Sequence, residues 1–242
     1  MKIQPLNERR IIRIKNANGD TNFGGLTFVG NKLYTIKTRT GNTSSTISYY
    51  PNFKKTERTN HTYENSFGHG NSMTYFNNEL YVAPCGKYCG TVNIKTWKYK
   101  KLESDMYMTA ISHYTGTLFL ALSRGDGNGN YTVAIMNRTG DKLVTKKKWT
   151  IKNPYHEKGY SVSQGMGFRQ SKKRLYIVFT HTNMKSNIVL RFALEKSSPD
   201  YLFKSKVSDI HYEFEDVGFD ANDNIYMGTN ERENLDALYQ VR

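Results

Sequence analysis

The hydrophobic positions of this chain fall into a repeated phrase. Five times an apolar residue, a small one and an aromatic one follow in order: Leu26-Thr27-Phe28, Met73-Thr74-Tyr75, Ile111-Ser112-His113, Met166-Gly167-Phe168 and Val217-Gly218-Phe219. A short polar turn then leads to an aliphatic–aromatic pair: Leu33-Tyr34, Leu80-Tyr81, Leu118-Phe119, Leu175-Tyr176 and Ile225-Tyr226. The second apolar anchor comes 7, 7, 7, 9 and 8 residues after the first. Each copy thus shows two short strands joined by a turn, and the copies recur every 40–55 residues or so. That period predicts a five-bladed β-propeller.

Each copy reads as a four-stranded antiparallel blade. In the second copy the strands fall at residues 71–76, 79–83, 91–95 and 98–102, separated by Asn, Gly and Lys turns. The fourth copy places its outer strand at 203–210. The fifth offers strands at 216–219, 224–228 and 237–241, and then the chain ends. An orphan strand at residues 10–14, Arg10-Ile11-Ile12-Arg13-Ile14, precedes the first copy. Pairing of 10–14 with the last blade would close the ring and hide its open edge. The expectation is one propeller domain over 1–242, most simply a monomer.

Charge adds a partner class. Lys and Arg number 35 against 21 Asp and Glu, a net charge of +14. Such a balance points to an anionic partner: a cell-wall polymer, an acidic lipid surface or nucleic acid. The basic residues are spread over strands and turns rather than gathered in an arm, and no specific nucleic-acid motif accompanies them. No apolar run reaches membrane-span length, and the N-terminus lacks the apolar core of a signal peptide. Either the protein stays in the cytoplasm, or a signal has been trimmed, or it is exported by another route.

Cys85 and Cys89 lie four residues apart in a Gly-rich stretch, Pro84-Cys85-Gly86-Lys87-Tyr88-Cys89-Gly90. A disulfide and two free thiols are both open; a zinc site would lack further cysteines. Asp126, Asn128 and Asn130 alternate as the first ligands of a calcium loop do, but the closing Glu is missing, so a hairpin turn is expected. No cofactor motif is present, and neither a metal site nor a cofactor is expected.

Candidate site residues come from the phrase itself. The residue two before each anchor is Gly24, Asn71, Thr109, Gln164 or Glu215. In a propeller these positions would converge at one mouth of the axis. The expected ligand-binding set is His69, Asn71, Gln164, Glu215 and Asp216. His69 lies between two glycines, and Glu213-Phe214-Glu215-Asp216 concentrates carboxylates. On a regular strand Glu215 and Asp216 would point to opposite faces, so one ligand could not meet both. Tyr75, Tyr88 and Tyr160 are candidates for stacking on sugar rings, or for blade packing.

Three stretches resemble the helveticin J family of class III bacteriocins: Gly68-His69-Gly70-Asn71-Ser72-Met73-Thr74-Tyr75, Ser163-Gln164-Gly165-Met166-Gly167-Phe168 and Glu215-Asp216-Val217-Gly218-Phe219-Asp220. The resemblance implies a secreted antimicrobial protein that kills related Gram-positive bacteria, and it assigns no catalytic residue. With the charge, it suggests binding to the cell-wall polymer, membrane surface or glycans of target bacteria, and favours binding over catalysis. Two alternatives stand beside it. One is a hydrolase acting on a glycan or phosphodiester at the axial mouth, with His69 as acid/base and Glu215 as its partner. The other is a protein-interaction scaffold.

Overall fold

The computed structural model describes residues 2–5, 7–184, 186–205, 212–231 and 236–241. Strands dominate, because short alternating or wholly apolar runs are broken every few residues by Asn, Gly and Asp turns. Strands β1 (Lys2–Pro5) and β2 (Glu8–Arg13) precede the first phrase. The first copy forms β3 (Asn22–Val29), β4 (Lys32–Thr38), β5 (Ser44–Tyr50) and β6 (Thr59–Glu64). The second forms β7 (Ser72–Phe76), β8 (Glu79–Ala83), β9 (Gly86–Asn93) and β10 (Tyr99–Met108). The third forms β11 (Ala110–Thr115), β12 (Leu118–Leu122), β13 (Asn130–Thr139) and β14 (Lys142–Lys152). The fourth forms β15 (Val162–Arg169), β16 (Arg174–Thr180), β17 (Asn187–Ala193) and β18 (Tyr201–Lys204). The fifth forms β19 (Tyr212–Phe219), β20 (Ile225–Glu231) and β21 (Ala237–Val241).

Hydrogen bonding sorts these strands into four sheets, not five separate blades. Two have four strands, β3-β4-β5-β6 and β19-β20-β21-β2. A third has five, because β1 adds parallel to β18 with Ile3 opposite Leu202. The fourth has eight, in the order β11-β12-β13-β14-β10-β9-β8-β7. Its two halves join where β10 and β14 run parallel, Glu103 opposite Lys142 and Ser104 opposite Leu143. Its edge strands then return to each other: Asn71 Nδ2 donates to Thr109 O at 3.0 Å and His113 N donates to Thr74 Oγ1 at 2.9 Å. The eight-stranded sheet is therefore nearly closed and barrel-like, beside three open sheets. This corrects the expected five-bladed propeller of separate four-stranded blades. The physical reason lies in two long outer strands, of 10 and 11 residues, that meet laterally. Alternation within a strand carries no information about such a seam.

At the chain ends, β2 spans residues 8–13 and pairs antiparallel with β21, Arg10 opposite Tyr239. The outer strand expected at 203–210 ends at Lys204, and residues 206–210 lie outside the described residues.

The site is positioned by five strands, β3, β7, β11, β15 and β19, which neighbour one another in a closed circle. The strands behind them are buried on both faces, as in Leu80–Ala83 and Phe119–Leu122. Large rings such as Tyr176, Phe179 and Phe192 fill the spaces between layers, each worth roughly 1.5–3 kcal/mol of burial. The axial strands approach so closely that a Cβ at Gly24 would sit 2.0 Å from Gly70 O, and one at Gly165 2.0 Å from Asp216 Oδ1. Only glycine fits those two positions.

Candidate active site

Three axial strands carry a β-bulge near their N-terminal ends. In β19 the register passes from Phe214–Thr229 to Asp216–Gly228, so Glu215 is the extra residue. In β3 the extra residue is Gly24, and in β15 the irregularity spans Gln164 and Gly165. A bulge suspends the alternation of faces and re-aims side chains. Glu215 and Asp216 are both buried, at 3% and 0% exposure, and meet different neighbours.

Asp216 ties three axial strands together. Its Oδ2 accepts Leu26 N at 3.0 Å and Met73 N at 3.1 Å. Its Oδ1 accepts Val217 N at 3.0 Å and lies 3.3 Å from Ser72 Oγ. Burial pushes its carboxyl up and the donated hydrogen bonds pull it back, with burial the larger effect.

Glu215 faces a different set of groups. Burial raises its carboxyl well above the ordinary range, and the neighbouring charges of Glu213, Asp236 and Asp216 raise it further. The Asn230 side chain hydrogen-bonds it and opposes the shift. Glu213, half-buried, is also raised by burial, while Gln164 Nε2 donates to its Oε1 at 3.2 Å. Burial and the neighbouring negative charge thus both disfavour ionisation of Glu215.

A further carboxyl, Asp236, forms an ion pair with Lys37, and both are buried. Lys37 Nζ also donates to Asn16 Oδ1 at 2.6 Å, and Asp236 Oδ1 accepts Glu231 N at 2.6 Å. Burial lowers the lysine and raises the aspartate, and their attraction opposes both shifts.

Of the expected site residues, Gln164, Glu215 and Asp216 share this buried cluster. Asn71 is buried and bonds across to Thr109 O, bracing the β7–β11 seam. His69 is exposed, and its Nδ1 lies 3.3 Å from Asn42 Oδ1. Enough protein surrounds that ring for desolvation to lower its protonation. Glu213, on the same strand, is the neighbouring charge that acts most on Glu215. Sequence reasoning missed Lys37, Asn230 and Asp236. The one signal for Lys37 was a charge inside an otherwise apolar or hydroxyl-bearing strand, Leu33-Tyr34-Thr35-Ile36-Lys37-Thr38.

Cys85 and Cys89 are free thiols. Burial pushes Cys85 up to about 11, with the nearby Glu215 charge adding, and Cys89 up to about 12. Both stay protonated near neutrality, which removes them as nucleophiles. Asp126 closes a hairpin turn by accepting Asn128 N at 2.8 Å and Asn130 N at 3.1 Å. Among the described residues no group of three His, Cys, Asp or Glu side chains is placed to ligate a metal.

The opposite, C-terminal end of the axial strands is different in kind. It encloses a cavity of about 380 Å³ lined by the five repeated phrases, including Thr27, Thr74, Ser112, Gly167 and Gly218. Tyr75 belongs to this end, whereas Tyr160 is buried in the core.

No family model matches the chain, and no curated protein matches it. Among solved structures it is similar to the glutaminyl cyclase of Myxococcus xanthus, with a TM-score of 0.64 at 12% identity, over 99% of this chain and 98% of that one. It is also similar to the bifunctional GH43-CE protein of Bacteroides eggerthii, with a TM-score of 0.61 at 14% identity, over 95% of this chain and 34% of that one. At these identities the likeness is one of fold. The resemblance to the helveticin J family does not hold: no family model supports it, and the similar folds are those of enzymes. The bacteriocin function, the antimicrobial character and the preference for binding over catalysis fall with it.

Proposed function

We propose that this protein is an enzyme that uses the Glu213–Glu215 pair for acid–base hydrolysis of a glycan. Two carboxyls two residues apart on β19, both raised by burial, carry this reading. A carboxylic acid beside a carboxylate can protonate a leaving oxygen and accept a proton from water, the two tasks that glycoside hydrolysis needs. Glu215, the more deeply buried, is the proton donor. Glu213, half-buried and held by Gln164, is the proton acceptor. Burial first, then the charge of Glu213 and, less, of Asp236 and Asp216, favours the protonated form of Glu215. The clustered carboxyls repel an anionic phosphodiester and tolerate a neutral sugar chain, which favours the glycan. The fold likeness to a GH43 protein is consistent with that substrate class.

One observation favours a second reading. The likeness to the glutaminyl cyclase spans nearly the whole of both chains. Cyclisation of an N-terminal glutamine also moves one proton from an amine and delivers one to departing ammonia, so the same pair would serve. The test is a panel of aryl glycosides, polysaccharides and Gln-initiated peptides, with the wild type and Glu215→Gln. Hydrolysis of a glycoside that Glu215→Gln loses supports the main reading. Release of ammonia from the peptides alone supports the second. Turnover that survives in a folded Glu215→Gln protein removes this pair from both.

A further inference from the structure

A second cavity, of about 470 Å³, lies away from the carboxyl cluster, where the β19-β20-β21-β2 sheet meets the loops of the first copy. Its size is that of a small-molecule site. Three cations line it: Arg9 and Arg10 from β2, and Lys54 from the loop after β5. Arg9 pairs opposite Gln240, which shares the lining, and the β2–β21 register becomes irregular just after Arg10, at Ile11. Arg9 and Arg10 are exposed, and neither forms an ion pair with a described carboxylate.

The one carboxylate in the lining, Asp220, is already committed. Its Oδ1 accepts Asn222 N and Asn224 N at 2.9 Å each, and its Oδ2 accepts Asn224 Nδ2 at 2.9 Å and the Tyr226 hydroxyl at 3.0 Å. It shapes a turn and leaves the arginine forks free. Asn31 and Gln240 add neutral amide donors to the same lining. Two guanidinium groups, an ammonium and side-chain amides around one space form a donor set suited to a tetrahedral oxyanion.

We propose that this cavity binds a phosphate- or sulfate-type dianion, free or carried on a small molecule. It is separate from the carboxyl cluster, so the proposal stands whether or not the enzymatic reading does.

The experiment is calorimetric titration of the wild type at about 150 mM salt, where diffuse surface attraction is largely screened. The probes are inorganic pyrophosphate, inorganic sulfate, glucose 6-phosphate and glucose. Arg9→Ala/Arg10→Ala is compared with Lys146→Ala/Lys148→Ala, which removes the same charge from exposed positions on β14. Saturable one-site binding of an anion, weakened about tenfold or more by the arginine pair and left unchanged by the lysine pair, is the expected result. Tighter binding of the sugar phosphate than of the inorganic ions, with none of glucose, identifies a carried oxyanion; the reverse identifies the free ion. Equal weakening by both double variants, or no saturable binding of any anion by the wild type, overturns the proposal.

Discussion

The two ends of the axial strands solve one problem in two ways. At each end, inner-strand N–H groups face a neighbouring strand instead of a ladder partner and need acceptors. The C-terminal end supplies neutral hydroxyls: Thr74 Oγ1 accepts His113 N, and Ser112 Oγ accepts Phe168 N, each at 2.9 Å. The N-terminal end supplies a buried carboxylate, Asp216, and crowds Glu213, Glu215 and Asp236 near it. Neutral bracing suffices for stability, as the hydroxyl end shows. Burying carboxyls beside one another costs free energy that Asp216 recovers through its four contacts and Glu215 does not. A costly group that braces little is where chemistry is expected.

The sharpest way to break this contrast is Glu215→Gln. Loss of the proton donor should lower kcat/KM by roughly 10²–10⁴-fold. Thermal stability should hold or rise, because the amide removes a carboxyl that burial and its neighbours disfavour in the charged form. Measured melting at neutral pH alongside turnover checks both halves. A large drop in melting temperature would place Glu215 with the braces.

Asp216 should behave in the opposite way. Asp216→Ala strands the N–H groups of Leu26 and Met73 in a closed interior. The cost is about 3–5 kcal/mol, or on the order of 10 °C in melting temperature for a chain of this size. Lys37→Met should be comparably harmful, about 3–5 kcal/mol, because it leaves Asp236 buried without its partner. The double variant Lys37→Met/Asp236→Leu should recover much of that loss. Denaturant midpoints measured across the three variants decide whether the ion pair is a brace or merely a matched burden.

These assignments show what the chain discloses by itself. The phrase anchors Leu26, Met73, Ile111, Met166 and Val217 marked the five axial strands, because a buried strand end repeats its apolar and small residues. The cluster around Glu215 was only half legible. Glu213 was visible two residues away, but the burial that raises both carboxyls comes from packing that no local hydropathy pattern shows. Asp236 pairs with a lysine 199 positions earlier, and local pattern does not reach so far. The β10–β14 seam rests on two residue pairs, too few for either strand's alternation to reveal. His69 was visible through its two flanking glycines, but the contact of its ring with Asn42, 27 positions earlier, was not.

Titration gives a smaller effect that separates the ends again. Glu213, Glu215, Asp216 and Asp236 all have folded-state values raised above the ordinary carboxylate range. As pH rises through that ordinary range, the unfolded chain releases protons that the folded chain keeps. Stability contributed by these groups is therefore full below the ordinary range and declines as pH climbs towards the raised values. Equilibrium unfolding between about pH 4 and pH 8 should show a decline that Glu215→Gln makes shallower.

The smallest change expected is at the neutral end. Thr74→Val keeps the side-chain shape and removes the acceptor of His113 N, a partly buried donor. The loss should be about 1–2 kcal/mol. It should not vary with pH in the carboxylate range, because no titrating group enters the bond. Ser112→Ala, which frees Phe168 N on the next seam, should add to it nearly independently. A Thr74→Val loss that grew or shrank with pH across the carboxylate range would mean that the hydroxyl end feels the charge state of the Asp216 region, through Ser72 and Met73 on the same strand. The two ends would then be one coupled system, and the neutral end could no longer serve as the reference against which the carboxyl end is judged.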